Sequence, residues 1–421
     1  MRVEEMMEKF NKRAKSMEQK GEINSRYYQN KTQAAYLQKV LAAKDEGKPR
    51  AWVSLFVPTE LFWAMDIVPF VVEQFVIQVL ASGAGYHFLD AGEAYGFPKE
   101  SCSPHLATVG AALSGTLPPP DVMICSGQSP CDSASVMFEN LSYVMKSPIH
   151  YATVPYYQGQ EAIQEFKEEL KQLIAFLEET TGNKMDYHRL RQALETYKAA
   201  QEYFIKFHKL RSLIPSPVNN RTAFASFGIG LTCSGMPETI DFYQAQYEEA
   251  LALADQGKGA AVEERHRILF HGPPPFWYMR LVEWIEKEYG AVITADIFNH
   301  FPLNNLEDTS DPLDALARRA LTCFGGALMH TAPIRATANW AVEAGREYKV
   351  NGAIATTHFG CKQGCSRTRP IADGLRNELG IPVLILDIDV GNPAIVSVAQ
   401  MELKLDQYFR VLEQQREALA V

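Results

Sequence analysis

The stretch "RAWVSLFVPTELFWAMDIVPFVVEQF", residues 50–75, sets a short apolar run, a proline-led helical stretch and a second short apolar run in succession. "PDVMICSG" (120–127) and "SPIHYATVPY" (147–156) have the same form, a brief apolar run near a proline that gives way to small or polar residues. Short apolar strands separated by helices predict a parallel α/β sheet. The pattern then returns in the second half of the chain. "FVPTELFWAM" (56–65) matches "FHGPPPFWYM" (270–279), with Phe56, Phe62, Trp63 and Met65 falling on Phe270, Phe276, Trp277 and Met279 at an offset of 214. "SPIHYATV" (147–154) matches "IPVLILDI" (381–388) at an offset of 234, an offset that also places Cys131 on Cys365. Cys102 and Cys323 differ by 221. Landmarks in shared order, with offsets growing as small insertions would make them grow, predict a duplicated α/β domain.

Other segments read as helix. Residues 1–45 have a polar helical pattern. Between the two halves, Ile163, Phe166, Leu170, Leu173 and Leu177 recur at helical spacing among Glu and Lys. Further helices are expected through 187–212 and 236–257, with the prolines of "LIPSPVNNR" (213–221) between them. The expected division is an N-terminal helical segment (1–45), a first α/β domain (46–156), a central helical region (157–264), a second α/β domain (265–396) and a C-terminal helix (397–421). A length of 421 residues suits two or three domains.

Bulk properties exclude several classes. Hydrophobic content of 47% and charged content of 22% are ordinary for a globular protein. A net charge of −9 without a Lys/Arg run argues against nucleic acid. The charged N-terminus lacks a signal core and no long apolar run occurs, so a cytoplasmic protein without a membrane span is expected. "GIGLTCSG" (228–235) only loosely resembles a nucleotide loop and no G-x4-GK[ST] is present, so ATP coupling would have to come from a partner.

The cysteines are Cys102, Cys125, Cys131, Cys233, Cys323, Cys361 and Cys365. Their odd number and the absence of a sign of an oxidising compartment argue against a disulfide framework. Taken singly, each is most often a small buried hydrophobe. Four of them are not placed that way: Cys125 ends "DVMIC" and Cys131 begins the helix after it, and Cys361 and Cys365 follow "NGAIATTHFG". Both places are exits of expected strands, where ligands of open parallel sheets bind. The spacing lacks the two close pairs of a structural zinc site and the C-x2-C-x2-C run of bacterial ferredoxins, and Thr368 stands where a radical-type C-x3-C-x2-C run needs a third cysteine. Thiolates drawn from distant segments to a domain interface suit an iron–sulfur cluster. Three would hold one four-iron cubane with an open iron, and six would hold two.

"VPTELFWAMDIVPF" (57–70), "SCSPH" (101–105), "PDVMICSGQSPCD" (120–132), "DPLDALARRAL" (311–321), "YKVNGAIATTHFGC" (348–361) and "LGIPVLILDIDVGNP" (379–393) together resemble the D-component subunits of the 2-hydroxyacyl-CoA dehydratase / benzoyl-CoA reductase family, over nearly the whole chain. The resemblance implies two Rossmann-like domains with a cluster between them and a separate dimeric activator ATPase, itself an iron–sulfur protein, as electron donor. It implies that Cys102, Cys131 and Cys361 hold one [4Fe-4S] cubane. The surplus cysteines depart from that pattern: Cys323, Cys365 and Cys125, with Cys233 as a substitute, would make a second triplet, as in the double-cubane branch with its [8Fe-9S] cluster and homodimeric assembly.

Other candidates lie close by in sequence. His358 precedes Cys361 by three residues and His105 follows Cys102 by three; each could donate a proton or a hydrogen bond, and each could equally be a histidine satisfied by backbone. Gln128 and Ser129 lie between two cysteines. Glu60, at the strand exit, is a candidate cleft acid or a solvated helix-start residue. Arg367 and Arg369 flank the cluster loop and could offset its charge.

Three functions follow. The first expectation is an ATP-dependent reductase, fed by the activator, that reduces small molecules such as acetylene, azide or hydrazine at a double cubane. The second is a 2-hydroxyacyl-CoA dehydratase subunit with one cubane and radical loss of hydroxide. The third is a non-enzymatic electron carrier or cluster scaffold.

Overall fold

The computed structural model describes the chain apart from residues 128–130, 298, 300–304, 324–332 and 421 and the side chains of residues 323 and 419–420. Helices α1 (Val3–Gln19) and α2 (Ser25–Ala42) lead into the first lobe. That lobe runs β1 (Arg50–Val53), α3 (Thr59–Ala64), β2 (Val68–Val71), α4 (Val72–Ala81), α5 (Tyr86–Tyr95), α6 (Ser103–Leu113), β3 (Val122–Cys125), α7 (Asp132–Met145) and β4 (Ile149–Tyr151). Four helices follow: α8 (Gln160–Thr181), α9 (Tyr187–Leu210), α10 (Asn220–Thr232) and α11 (Glu238–Ala254). The second lobe runs β5 (His266–His271), a 3-10 turn (Phe276–Tyr278), α12 (Arg280–Tyr289), β6 (Ala291–Asp296), α13 (Pro312–Arg318), a π turn (Arg319–Cys323), α14 (Ile334–Glu347), β7 (Gly352–His358), α15 (Lys362–Leu379) and β8 (Val383–Ile388), before α16 (Val398–Ala420).

All strands are parallel, in the orders β2-β1-β3-β4 and β6-β5-β7-β8. The two sheets therefore share one topology, the doubly wound order whose switch points lie between β1 and β3 and between β5 and β7. The apolar runs carry no polar alternation because both faces of each sheet are covered. In β1 and β3, Trp52, Met123 and Cys125 face one core with α4, α6 and α7, while Ala51, Val53, Val122 and Ile124 face another with α8. The second sheet divides likewise: Ile268 and Phe270 pack with α12 and α16, and Leu269 and Ala353 with α14 and α15.

One local expectation is corrected. Residues 1–45 form two helices rather than one, because Gly21 takes φ 71 and the Asn24 side chain accepts the Arg26 and Tyr27 N–H groups to start α2. Their inner faces are apolar: Val3, Met6, Phe10, Leu37 and Val40 join the first lobe's core. "GIGLTCSG", already set aside as a nucleotide loop, is helical up to Thr232. Residues 228–232 end α10, which Asn219 caps by accepting the Thr222 N–H.

The lobes are tied across their interface. Leu313 and Leu316 of α13, in the second half, sit in the core beneath the first sheet. Arg211, just past α9, donates to Asp296 Oδ2 at 2.7 Å and to Ile293 O at 2.8 Å at the edge of the second sheet. Among the described residues no helix is long and apolar enough to cross a membrane.

Candidate metal centre between the lobes

In a parallel α/β lobe the helices run back against the strands, so their N-termini gather at the strands' carboxyl edge. Three of the cysteines occupy those N-termini: Cys102 is the N-cap of α6, Cys131 of α7 and Cys361 of α15. Cys361 Sγ accepts the Gly364 N–H at 3.3 Å. The lobes bring the three thiols into each other's field. Each is half-buried as a residue. Burial pushes Cys102 well above the ordinary thiol range, with the Cys131 and Cys361 charges adding to it, and burial with the Cys361 charge does the same to Cys131. Cys361 is also raised, by burial first, against the pull of the Gly364 N–H.

The closeness has a backbone cause. A Cβ built on Gly360 would lie 2.8 Å from Cys102 Cα and 2.9 Å from Cys102 N. Only a residue without a side chain allows the β7–α15 loop to lie on the start of α6. Gly360→Ala is expected to part the lobes at this seam and to lower the melting temperature by several degrees, since overpacking of this kind costs about 1–3 kcal/mol. A thermal melt equal to wild type would show that the contact does not hold the seam.

Around the thiols is a polar ring. His358 Nε2 lies 3.3 Å from Cys102 Sγ and its Nδ1 3.5 Å from Asp389 Oδ2. Asp389 is fixed in turn: it accepts Ser103 Oγ–H at 2.5 Å and the Gly391 and Asn392 N–H groups at 2.9 and 2.6 Å, and its backbone carbonyl accepts the Trp277 indole N–H at 2.8 Å. Burial pushes the His358 pKa down. His105 is held at both ring nitrogens, Nε2 by Glu73 Oε1 at 2.7 Å and Nδ1 by Ser133 Oγ at 2.8 Å.

The remaining cysteines are placed differently. Cys365 lies one turn into α15 and donates to His358 O at 3.2 Å; its charge is felt at Cys361. Cys125 ends β3 fully buried in the first lobe's core, with Ser135 Oγ at 3.9 Å, and burial raises its thiol to about 11. Cys233 is buried in the same core, next to the Thr232 hydroxyl at 3.3 Å, and raised to about 12 by burial. Its charge is felt at Tyr36 and Tyr243. The Cys323 backbone closes the π turn after α13, and its side chain lies outside the described residues, as do Gln128 and Ser129.

The repeat pairing is corrected with them. By helix capping, Cys131 corresponds to Cys361, not to Cys365, and Ser135 corresponds to Cys365. The helix before the third strand of the second lobe, α14, is capped by Pro333, and the pairing of Cys102 with Cys323 falls next to residues outside those described. Cys125 lies within a strand and is not the counterpart of Cys361.

Glu60 is not a cleft acid. It is wholly buried, paired through both carboxylate oxygens with the Arg319 guanidinium and accepting the Ser234 hydroxyl. Arg367 is buried, donates to Thr337 Oγ1 at 2.7 Å and lowers the Cys361 pKa. Arg369 is exposed and bound to Asp373. Glu73 and Asp389 were not anticipated; the Asp-x-Gly-Asn turn of "DIDVGNP" was a usable signal for Asp389, because Asp in such turns accepts nearby N–H groups.

Among the described residues no group of three His, Cys, Asp or Glu side chains closes around a single ion. A four-iron cube takes each thiolate at a different iron, so it needs ligands around a volume rather than a point. Three soft thiols at helix N-termini, where the positive dipole end favours thiolate and burial demands a cation to neutralise it, match that group.

Two like α/β lobes meeting over three helix-capping cysteines define a double-lobed protein with a thiol-lined seam. The chain belongs to the family described as 2-hydroxyglutaryl-CoA dehydratase, D-component, whose model matches residues 54–412. It is 23% identical over 390 residues to the (R)-phenyllactyl-CoA dehydratase alpha subunit of Clostridium sporogenes, covering 90% of this chain and 93% of that one. It is 24% identical over 398 residues to a benzoyl-CoA reductase subunit of Thauera aromatica, covering 86% and 89%. To the (R)-2-hydroxyisocaproyl-CoA dehydratase alpha subunit of Clostridioides difficile it is 22% identical over 385 residues, covering 89% and 92%.

Proposed function

We propose that this chain is a cluster-bearing subunit of an acyl-CoA dehydratase or reductase, with one [4Fe-4S] cubane held by Cys102, Cys131 and Cys361. The observation that carries it is the convergence of these three helix-capping thiols at the seam. The names of the relatives favour this reading over a double-cubane reductase of acetylene, azide or hydrazine. When bound, such a cubane supplies single low-potential electrons and an open iron for a thioester carbonyl.

The chain's own groups have definite work in this reading. His358 donates Nε2–H to Cys102 Sγ, which stabilises negative charge on that sulfur. His105 shares its Nε2 proton with Glu73 and presents a second proton site beside the trio at Ser133. The seam keeps water from the sulfurs by burial, which strengthens each of these contacts. All three relatives are named as single subunits of their enzymes, so a partner subunit is expected in preference to a homodimer; a separate activator ATPase is what the family resemblance implies.

Cys365 keeps a second reading open. Its thiol is near enough to Cys361 for the charges to interact, so it could serve an additional cluster. Anaerobic iron and sulfide determination separates the two, with about four irons per chain expected. About eight would favour the double cubane. A colourless, iron-free chain after anoxic reconstitution would end both readings.

A further inference from the structure

The charges around the thiol trio are not spread evenly. Cys102 and Cys131 face carboxylates. Asp389 Oδ2 lies 3.5 Å from His358 Nδ1, on the far side of the ring from Cys102 Sγ, and Asp389 Oδ1 accepts the hydroxyl of Ser103, the residue after that cysteine, at 2.5 Å. Glu73 is fixed at both oxygens: Oε1 lies 2.7 Å from His105 Nε2, and Oε2 accepts the Leu55 N–H at 2.6 Å. Both acids are buried. The charges of Asp389 and Glu73 add to burial in raising Cys102, and that of Glu73 does so at Cys131.

Cys361 faces the opposite charge. Arg367 lies further along α15, which Cys361 caps, by about 9 Å of helix axis. Helical side chains lean back towards the N-terminus, and the Arg367 guanidinium acts against burial to lower the Cys361 pKa. Arg367 is only 2% exposed. Its Nη1 donates to Thr337 Oγ1 at 2.7 Å and its Nη2 to Tyr156 Oη at 3.4 Å. Thr337 belongs to α14 of the second lobe and Tyr156 follows β4 of the first, so the guanidinium is held from both sides of the seam. Neither hydroxyl cancels its charge, and a guanidinium keeps that charge when buried. Arg369, on the same helix, is the contrast: it is exposed and bound to Asp373, so solvent and a carboxylate screen it.

A cube held by thiolates gains one more negative charge when it takes up an electron, and its potential follows the charges and hydrogen bonds around it. We infer that the seam is electrically polarised: the Arg367 guanidinium stabilises the added electron on the Cys361 side, while Asp389 and Glu73 disfavour it on the Cys102 and Cys131 side. The step is the uptake of one electron from a low-potential one-electron donor, with no bond made or broken. This inference rests on the cubane proposed above; its sign and its location rest on the placement of Arg367, Asp389 and Glu73.

The test is an EPR-monitored redox titration of the whole chain after anaerobic reconstitution, with dithionite as reductant and with iron content and circular dichroism measured on each sample. Arg367→Gln keeps a donor for Thr337 but no charge. It should hold wild-type iron and make the one-electron reduction roughly tenfold less favourable, a midpoint about 59 mV more negative. Arg367→Lys keeps the charge and should recover most of that shift. Arg369→Gln should leave the midpoint where it is, and Glu73→Gln should move it in the positive direction. An unchanged midpoint in Arg367→Gln at about four irons per chain would overturn the inference and leave the cluster reading standing. An equal shift in Arg369→Gln would also overturn it, because net charge rather than a local contact would then be responsible. A wild-type chain that takes up no iron would overturn both. If Arg367→Gln does not fold or load, Glu73→Gln carries the test, and a midpoint that stays or turns more negative would overturn the polarity.

Discussion

Replacing Cys361 by serine should give a folded chain that has lost its iron. Serine is a preferred N-cap, so its hydroxyl can accept the Gly364 N–H as the cysteine does, and α15 should start normally. What serine cannot do is provide a thiolate. Anaerobically reconstituted Cys361→Ser should therefore hold little of the roughly four irons expected of wild type, with an unchanged circular dichroism spectrum. Cys131→Ser, at the equivalent cap of α7, should behave alike. Cys233→Ser and Cys125→Ser, in the core of the first lobe, should keep full iron. So should Cys365→Ser if one cubane is present. Full iron in Cys361→Ser would remove the basis for the assigned ligand set, whatever the other variants show.

Replacing Glu60 by glutamine should be strongly destabilising. The residue and its partner Arg319 are both buried, and Arg319 also lies over the Tyr197 ring at 4.4 Å. Taking one charge away leaves the other without compensation, a loss of about 3–5 kcal/mol. The pair joins α3 of the first lobe to the turn after α13, so the loss falls on the seam as well as on overall stability. Glu60→Leu combined with Arg319→Met should recover much of it, since the penalty comes from an unpaired charge rather than from the missing attraction.

The same pair gives a pH signature. Burial alone would raise the Glu60 pKa, but the charge of Arg319 and the hydrogen bonds from Arg319 and Ser234 outweigh it and hold the carboxyl below its usual 4.5. A depressed folded-state pKa means that this group's stabilisation is complete above the unfolded value and is lost as pH falls through the folded one. Wild type should lose stability below about pH 4.5 in part through this group, and Glu60→Gln should lack that part of the slope. Denaturation midpoints between about pH 6 and about pH 3 that run parallel for the two proteins would contradict the assignment.

The strands, their parallel sense and the duplicated lobes were legible in the sequence because a strand buried on both faces leaves a continuous apolar run, as in "DVMIC" and "NGAIATTHFG". The site was legible only as far as its cysteines. Matching prolines put Cys365 opposite Cys131, yet the two helices start at Cys131 and Cys361, one turn away. Loop lengths before a helix shift sequence offsets, whereas capping geometry does not. Glu60 read as an acid near a strand exit because its partner, Arg319, is 259 residues away in the chain. Glu73 and Asp389 were missed for the same reason: each matters through a contact with a distant histidine, and local pattern does not encode such contacts. Helix α10 was hidden by its glycines, which Asn219 and the packing against its neighbours override.

The thiol trio is drawn from both ends of the polypeptide, two members before residue 132 and the third at 361. A ribosome that has released only the first lobe has exposed two of the three sulfurs, and the last appears only after the central helices and β7 have been made. On the proposed ligand set, a cubane can be completed only after α15 has been made and the halves have docked. On the same ligand set, a chain truncated before α15 keeps only two of the three sulfurs and should hold no stable cubane.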